Sequence, residues 1–278
     1  MAAARVDPAL VARLLRHEVA VHAVPGREIR ELGDALLLYD PIDPEPFWNR
    51  LEGLHLPTQP DAFDRRLAEL GILFAGLARQ PHVWLVPPYD DPPDLYSRLL
   101  ANGFEDAGAS YLMLASAADL VRAAVVPEPG SRVTLERWSG VGPAEAVPVA
   151  TAAVEVVLSA FAVPEVRREP LIAEVLASLA DPRFTIYLAR VDGVPAGIAR
   201  RATFDGLSYL SSIGTVPALR GRGLGRLVTA AAAADAVAAG SEHVHLGVFE
   251  DNLVARRLYE DLGFGYVGDP SPGMILTG

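Results

Sequence analysis

The sequence contains no cysteine and no lysine, and each absence excludes a kind of chemistry. Without cysteine there is no disulfide and no thiolate ligand for a metal ion. All 24 basic residues are arginine, so the lysine that a P-loop needs is missing and no lysine side chain can be acetylated. The lack of cysteine fits a reducing compartment, and we expect a cytoplasmic protein.

Long apolar runs free of charge are also missing. The most apolar windows are residues 146–163, interrupted by Pro148 and Glu155, and residues 228–239, interrupted by Asp235. A membrane-spanning helix needs about 18 predominantly apolar residues, so we predict no membrane span. The N-terminus is broken by charges and lacks the apolar stretch of a signal peptide.

Positive charge is scarce overall, because the formal net charge is −11. Nucleic-acid binding depends on clustered positive charge against the phosphate backbone, so we expect no nucleic-acid partner. An acidic surface attracts cations, which favours an amine as the small-molecule partner. The sequence does not fix the oligomeric state, and a homodimer is one option.

The chain length of 278 residues suits two modest domains. The proline- and glycine-containing stretch VVPEPGSR predicts a linker at residues 125–130, between domains at residues 1–124 and 131–278. Each half repeats His-Val, an acidic turn, an amphipathic stretch and Gly-Phe, at residues 82–104 and 243–264. This repetition indicates a degenerate internal duplication.

Hydrophobic periodicity and turn signals predict the elements of both halves, and their mixture indicates an α/β fold with a central mixed β-sheet flanked by helices in each domain. In the second half the predicted strands are residues 131–138, a hairpin turning at Asp192-Gly193, 207–216 and 243–248, and the predicted helices are 143–161, 165–180, 224–239 and 253–262. In the first half the predicted strands are 35–40, 82–86 and 109–115, and the predicted helices are 7–20, 60–78 and 92–102.

The segment RGRGLGR (residues 220–226) lies between a predicted strand and a predicted helix. Its glycines let the backbone turn tightly and let an anion approach, and its arginines add positive charge. No Asp or Glu occurs from residue 206 to residue 234 to cancel that charge. Helix N-termini carry unpaired N–H groups and about half a positive charge. The segment therefore predicts a cradle for phosphate or diphosphate.

Other interpretations of this segment are weaker. A dinucleotide-binding fingerprint reads G-x-G-x-x-G, whereas these glycines recur at every second position. An RG-rich nucleic-acid segment would be repetitive, and this one is short and flanked by regular structure. A purely structural glycine turn stays open on these seven residues alone.

The wider context resembles the GNAT superfamily of N-acetyltransferases. V-x-x-x-R-x-x-G-x-G matches the family's coenzyme A loop at Arg220, Gly223 and Gly225. About 27 residues later, N-x-x-A-x-x-L-Y-x-x-x-G-F appears from Asn252 to Phe264. The resemblance covers roughly residues 131–278.

The resemblance implies an acetyl-CoA-dependent N-acetyltransferase, in which an amine of a small molecule attacks the acetyl group directly. Strands 207–216 and 243–248 would splay apart, and backbone groups of Thr215 and Val216 would pair with the pantetheine arm. Asn252 and Ala255 would line the path toward the thioester. The diphosphate would be held by Arg220, Gly221, Arg222, Gly223, Leu224, Gly225 and Arg226.

Tyr259 is the expected general acid, because a phenol can give a proton to a departing thiolate. Many GNAT enzymes carry a glutamate as base on the preceding strand, but SYLSSIGTV has none. Ser211 or Ser212 with a water, Glu250 or Asp251, or an acceptor that arrives neutral are the alternatives. A non-catalytic acyl-CoA-binding regulatory module is the other interpretation of the whole chain.

His243 and His245 alternate along one strand without an evident third ligand, so we interpret them as packed histidines and expect no metal.

In the first half, Leu99 and Pro92 stand opposite Tyr259 and Asn252, so this half resembles a degenerate GNAT module without productive coenzyme A binding. Residues 39–57, with Phe47, Trp48 and Asn49, are a candidate pocket wall or an aromatic-pinned surface loop.

Overall fold

The computed structural model of the protein describes residues 6–24, 26–87, 89–120 and 132–277. The chain forms two compact units, each assembled from distant segments. Unit 1 comprises Met1–Met113, Gly247–Arg256 and Gly265–Gly278, and unit 2 comprises Leu114–Leu246 and Arg257–Phe264. The expected linker at residues 125–130 lies outside the described residues, and the domain limits drawn from the sequence stay a prediction.

Unit 1 contains a mixed sheet with helices against it. Its strands, in spatial order, are β1 (Glu28–Glu31), β2 (Leu36–Tyr39), β3 (Arg50–Glu52), β4 (His82–Trp84), β12 (Ser271–Leu276) and β5 (Phe104–Ser116), and the two-residue β11 (Gly265–Tyr266) pairs with β5. Its helices are α1 (Pro8–Ala23), α2 (Pro60–Gly76) and α3 (Leu95–Ala101). Neighbouring strands are antiparallel except β3 and β4, which are parallel through Leu51 and Val83.

Residues near the C-terminus complete the sheet of unit 1, because β12 pairs with β4 on one side and with β5 on the other. Met274 of β12 is fully buried in the same core as Leu51 and Phe74. The tail, which the sequence analysis placed in the second domain, thus supplies part of the first core.

Unit 2 is built on an antiparallel meander that ends in a parallel strand. Its strands, in spatial order, are β6 (Val133–Trp138), β7 (Phe184–Val191), β8 (Val194–Phe204), β9 (Leu207–Thr215) and β10 (His243–Phe249). Its helices are α4 (Ala117–Leu120), α5 (Pro143–Phe161), α6 (Arg168–Ala180), α7 (Leu224–Ala238) and α8 (Leu253–Asp261). Strands β5 and β10 and helix α8 pass from the residues of one unit to those of the other.

Helix α5 is the one described helix whose length and apolar composition would allow a membrane crossing. Its Ala153 and Val154 are fully buried, and they share a core with Leu188 and Ile198 of the sheet. An apolar helix buried in this way is typical of the core of a globular domain.

The predicted fold class, a mixed α/β sheet flanked by helices, is confirmed. Two short strands, β1 and β3, were not predicted. The candidate pocket wall at residues 39–57 contains β3, in which all three residues are buried. The segment therefore contributes to the core of unit 1 and is more than a surface loop.

Asn49 holds this segment together. Its side-chain oxygen accepts hydrogen bonds from the Asp40 amide (3.0 Å) and from Arg79 Nε (3.2 Å). Its side-chain nitrogen donates to the carbonyl oxygens of Asp43 (2.8 Å) and Glu45 (2.9 Å). The residue is fully buried, so it serves the fold of unit 1 and does not line a pocket.

We expect Asn49→Ala to lower the free energy of unfolding by about 2–4 kcal/mol, because it leaves several buried groups unpaired. Asn102→Ala is the matched control, since Asn102 is exposed and donates one local bond to the Arg98 carbonyl. Denaturant unfolding monitored by circular dichroism measures both. Equal losses in the two variants would contradict the role of Asn49.

Candidate active site

The parallel ladder between β9 and β10 is short. It runs from the pair Leu207–His243 to the pair Leu210–Leu246. Strand β9 continues to Thr215, and over these last residues its recorded partner among the described strands is β8. One edge of β9 is therefore open from Ser211 onward within the described residues.

A β-bulge lies where this open edge begins. Arg200 of β8 pairs with Ser211, and Ile198 pairs with Gly214, so β9 holds one extra residue between these pairs. Ser212, in the bulge, has a φ of 51°, which non-glycine residues rarely adopt. Bulges bend a strand and re-aim its backbone groups.

The two predicted pantetheine partners on β9 differ. The Val216 N–H donates to the Ala196 carbonyl (2.9 Å), and its carbonyl oxygen accepts from the Leu219 amide (3.0 Å). Backbone groups alternate between the two edges of a strand, so the Thr215 N–H points to the open edge. Val216 is thus already bonded, whereas the Thr215 N–H stays available to a ligand.

The loop after β9 presents a row of backbone amides. Gly221 and Gly223 have φ of 74° and 78°, a left-handed conformation that favours glycine. Helix α7 begins at Leu224, and the first amide bonded to a described backbone acceptor in this helix is that of Leu227, which reaches the Gly223 carbonyl (2.9 Å). The amides of residues 221–226 donate to no described residue. They are a row of donors at a helix N-terminus, an arrangement that suits an anion.

Arg220 fixes the loop to the end of α5. Its Nη2 donates to the carbonyl oxygen of Ala160 at 2.7 Å. Gly214 makes this approach possible, because a Cβ there would lie 2.9 Å from the Cβ of Ala160 and 3.0 Å from the ring of Phe161. Arg220 therefore acts mainly on the loop's position.

The other two arginines of the loop offer charge. Arg222 is exposed and has no ion-pair or hydrogen-bond partner among the described residues. Arg226 Nη1 is 3.8 Å from Asp261 Oδ2, and both side chains are largely exposed. Arg222 is therefore the cation of this loop that a bound anion would meet without competition.

Tyr259 lies on α8, a helix that packs against the start of α7. Leu258, its neighbour on α8, has Cδ1 3.6 Å from the position of a Cβ on Gly225. Tyr259 is 5% exposed, and its hydroxyl makes no hydrogen bond with any described residue. Buried tyrosine hydroxyls usually have a partner. Burial raises the pKa of Tyr259 well above its ordinary value, so the phenol keeps its proton at neutral and alkaline pH.

Ser211 belongs to a buried polar network on the α6 side of the sheet. Arg200 Nε donates to Ser211 Oγ at 3.0 Å, and Arg200 Nη1 donates to Glu174 Oε1 at 2.6 Å. A guanidinium has no acceptor, so Ser211 Oγ accepts this bond. An oxygen that accepts from an arginine is a poor base, which weakens the predicted water relay through Ser211.

Glu250, Asn252 and Ala255 belong to unit 1. Asn252 is exposed, and its Oδ1 accepts from the Ala255 amide at 3.2 Å, so it caps the N-terminus of α8. Glu250 is exposed, and its carbonyl oxygen accepts from Arg256 Nη1 at 2.7 Å.

The two strand histidines lie on the α6 side of unit 2. His245 is fully buried, with its ring centroid 4.9 Å from that of Tyr209. Within the described ranges no three His, Asp or Glu side chains group in a way that suits a metal ion.

A family model described as the acetyltransferase (GNAT) family matches residues 153–264, which include the open strand edge, the amide loop and Tyr259. This part of the chain belongs to the GNAT family. The expected family and class of enzyme, an acetyltransferase, are thereby confirmed at the level of the family.

Individual relatives add less. A mycothiol acetyltransferase from Gordonia bronchialis is 49% identical over 53 residues, which are 19% of this chain and 17% of that protein. A GCN5-related N-acetyltransferase from Kribbella flavida is 23% identical with a TM-score of 0.71, covering 96% of this chain and 95% of that one. A tandem GNAT protein from the clavulanic acid biosynthesis pathway is 16% identical with a TM-score of 0.62, covering 91% of this chain and 85% of that one. Both structural likenesses show the GNAT fold.

Sequence reasoning missed three residues of the GNAT domain. Gly214 lacks a turn signal, since it lies within a strand. Glu174 is hidden in the apolar run LIAEVLASLA, and Arg200 stands beside a second arginine in GIARRATF. The available signal was a charged residue at an inward position of an apolar strand or helix. Charged side chains are almost never fully buried unless they are paired, so such a position indicates a buried ion pair.

We expect Gly223→Val to weaken coenzyme A binding at least about 10-fold, because it strains the left-handed backbone and places a branched side chain among the loop amides. Gly193→Val is the matched control, since Gly193 has a φ of 79° and, like Gly223, nothing within 4 Å of its Cβ position. Titration calorimetry with coenzyme A measures both variants. Normal affinity of a folded Gly223→Val protein would place the cofactor elsewhere.

Proposed function

We propose that the protein is an acetyl-CoA-dependent N-acetyltransferase that acetylates the primary amine of a small molecule. The observation that carries the proposal is that unit 2 keeps two sets of donors unbonded to any described residue: the amides of residues 221–226 and the hydroxyl of Tyr259. A bound ligand would supply hydrogen-bond acceptors to both sets of donors.

The loop residues fit the diphosphate of a coenzyme A molecule. Six consecutive amides, the N-terminus of α7 and the exposed guanidinium of Arg222 all favour an anion. No Asp or Glu lies in the first turn of α7 to oppose it. The Thr215 N–H would hold the pantetheine arm along the open edge of β9, and the bound molecule would supply an activated acetyl group.

Tyr259 would act as the acid. The amine nitrogen forms a bond to the acetyl carbon, the carbon–sulfur bond breaks, and Tyr259 gives its proton to the leaving sulfur. Burial raises the pKa of Tyr259, so the proton is still present when the thiolate departs. The new amide nitrogen releases its extra proton to solvent, and Tyr259 regains a proton from solvent.

The acceptor would enter as a neutral amine. No residue of β9 is a carboxylate, and the oxygen of Ser211 already accepts a bond from Arg200. Glu250 lies on the turn after β10 and would be the alternative acceptor of the proton. The neutral-amine route needs no residue to remove a proton before attack.

Unit 1 would be a degenerate GNAT-like half that does not use coenzyme A. The Asp90 carboxylate accepts from the amides of Leu54 (3.0 Å) and Val86 (2.5 Å), two residues past the ends of the parallel strands β3 and β4. The space between these strand ends is therefore bridged by a side chain of the unit itself. Leu99 is fully buried and offers no acid.

The missing strand carboxylate favours one rival, a non-catalytic acyl-CoA-binding regulatory module. A turnover assay with acetyl-CoA and a panel of amines separates the two. Release of free thiol supports the transferase, whereas tight binding without thiol release from any amine supports the regulatory module.

We expect Tyr259→Phe to lower kcat about 100-fold with little change in acetyl-CoA affinity, because it removes only the transferred proton. Stability should change by less than about 0.5 kcal/mol, since the hydroxyl bonds no described group. Steady-state kinetics with thiol detection, and denaturant unfolding, measure these quantities.

Tyr187→Phe is the control for Tyr259→Phe. The Tyr187 hydroxyl donates to Asp235 Oδ2 at 2.9 Å on the α7 side of the sheet. We expect this variant to lose stability and to keep its kcat. Unchanged turnover in Tyr259→Phe would remove the tyrosine from the mechanism.

We expect kcat/KM to rise with pH and to level off at the pKa of the free acceptor, because only the neutral amine attacks. For an amine of low pKa, the profile should then stay flat to about pH 10, since burial raises the pKa of Tyr259 above the usual value near 10. Measurements with amines of different pKa test this. A midpoint that stays the same for every amine would instead indicate a basic residue such as Glu250.

A further inference from the structure

Arg200 is a buried cation whose hydrogen-bonding capacity is only partly used. The residue is 4% exposed. Its Nε and Nη1 donate to Ser211 and Glu174, while Nη2 has no acceptor among the described residues. Nη2 keeps some contact with solvent, so an acceptor oxygen of a ligand can reach it.

Ser211 offers a second donor at the same place. Its Oγ accepts from Arg200, so its own O–H is directed elsewhere, and it donates to no described residue. In the planar guanidinium, Nη2 is bonded to the same carbon as Nε, which donates to Ser211, and Nη1, which donates to Glu174. Ser211 is half-buried, and it precedes Thr215 by four residues, or roughly 13 Å of extended strand. The two donors thus lie beside the bulge of β9, in the GNAT domain.

The charge around these donors decides the chemistry of the ligand. Glu174 already balances the charge of Arg200, at 2.6 Å and with both side chains 10% exposed or less. Two apolar side chains also lie near the guanidinium: the centroid of the Phe184 ring is 5.9 Å from Cζ, and Ile186 pairs with Arg200 across the sheet. An uncharged acceptor oxygen fits, whereas a carboxylate would bring a second buried negative charge next to Glu174.

We propose that Arg200 and Ser211 bind the carbonyl oxygen of the acceptor, so that the substrate is an amino amide. This inference rests on the proposed transferase function. Arg200 and Ser211 are specificity residues that contact the substrate, and Glu174 positions Arg200.

The test compares leucinamide with 3-methylbutylamine, which lacks the carboxamide, and with leucine, which carries a carboxylate. Values of kcat/KM are expressed per concentration of neutral amine. We expect the natural protein to prefer leucinamide over 3-methylbutylamine by about 10- to 100-fold, the effect of hydrogen bonds to a charged donor. Leucine should be a poorer substrate than leucinamide.

The double variant Arg200→Met with Glu174→Gln removes both charges and leaves neither buried alone. We expect its preference for leucinamide to fall close to 1. Ser211→Ala should lower the preference by about 3- to 10-fold and serves as the test if the double variant does not fold. Arg190→Met with Glu136→Gln is the matched control, because it removes another ion pair of the same sheet, at 2.8 Å, and should keep the preference.

The inference would be overturned if the folded double variant or Ser211→Ala kept the full preference for leucinamide over 3-methylbutylamine. It would also be overturned if the natural protein preferred leucine to leucinamide. Calorimetry of leucinamide binding to the coenzyme-A-loaded protein separates this inference from the transferase function. Binding that is weakened in Ser211→Ala, without any turnover, refutes the transferase and upholds the site. Absence of both binding and turnover overturns both.

Discussion

The amide hydrogens of residues 221–226 cannot be satisfied by their own helix, and no described residue of the protein satisfies them. Three residues of the loop hold these amides in place. Gly221 and Gly223 adopt the left-handed conformations that align the amides, and Arg220 ties the loop to the last turn of α5. An anion can bind to this helix N-terminus without rearrangement of the loop. The free-energy cost of leaving the amides unbonded is already part of folding, so it is not added on binding.

Two further unsatisfied donors lie on the same unit, at Tyr259 and Arg200. Both side chains are at least 95% buried, and no described residue accepts a bond from the Tyr259 hydroxyl or from Arg200 Nη2. Three groups of donors that no described residue binds thus lie in one unit, and together they are more informative than any of them alone. We propose that they serve the diphosphate, the leaving sulfur and the carbonyl oxygen of the acceptor.

The sequence predicted what depends on local chemistry. The alternation and helical periodicity of residues 131–264 gave nearly all elements of unit 2, and the loop RGRGLGR was recognised because glycine and arginine have distinct local effects. What it missed depends on partners distant in the chain. Glu174 and Arg200 are separated by 26 residues and Asn49 and Arg79 by 30, and nothing in the sequence states that they meet. Likewise, the bonding of Val216 to Ala196 follows from strand register, which a single strand does not specify.

Strand β12 has a consequence for how the protein is made. It lies between β4 and β5, which are synthesised well over a hundred residues earlier, so the sheet of unit 1 stays divided until residues 271–276 have left the ribosome. Until β12 is made, the edges of β4 and β5 that it will pair with are unpaired, and such edges readily pair with other chains. Cells that produce this protein would therefore benefit from chaperones that shield the nascent N-terminal half.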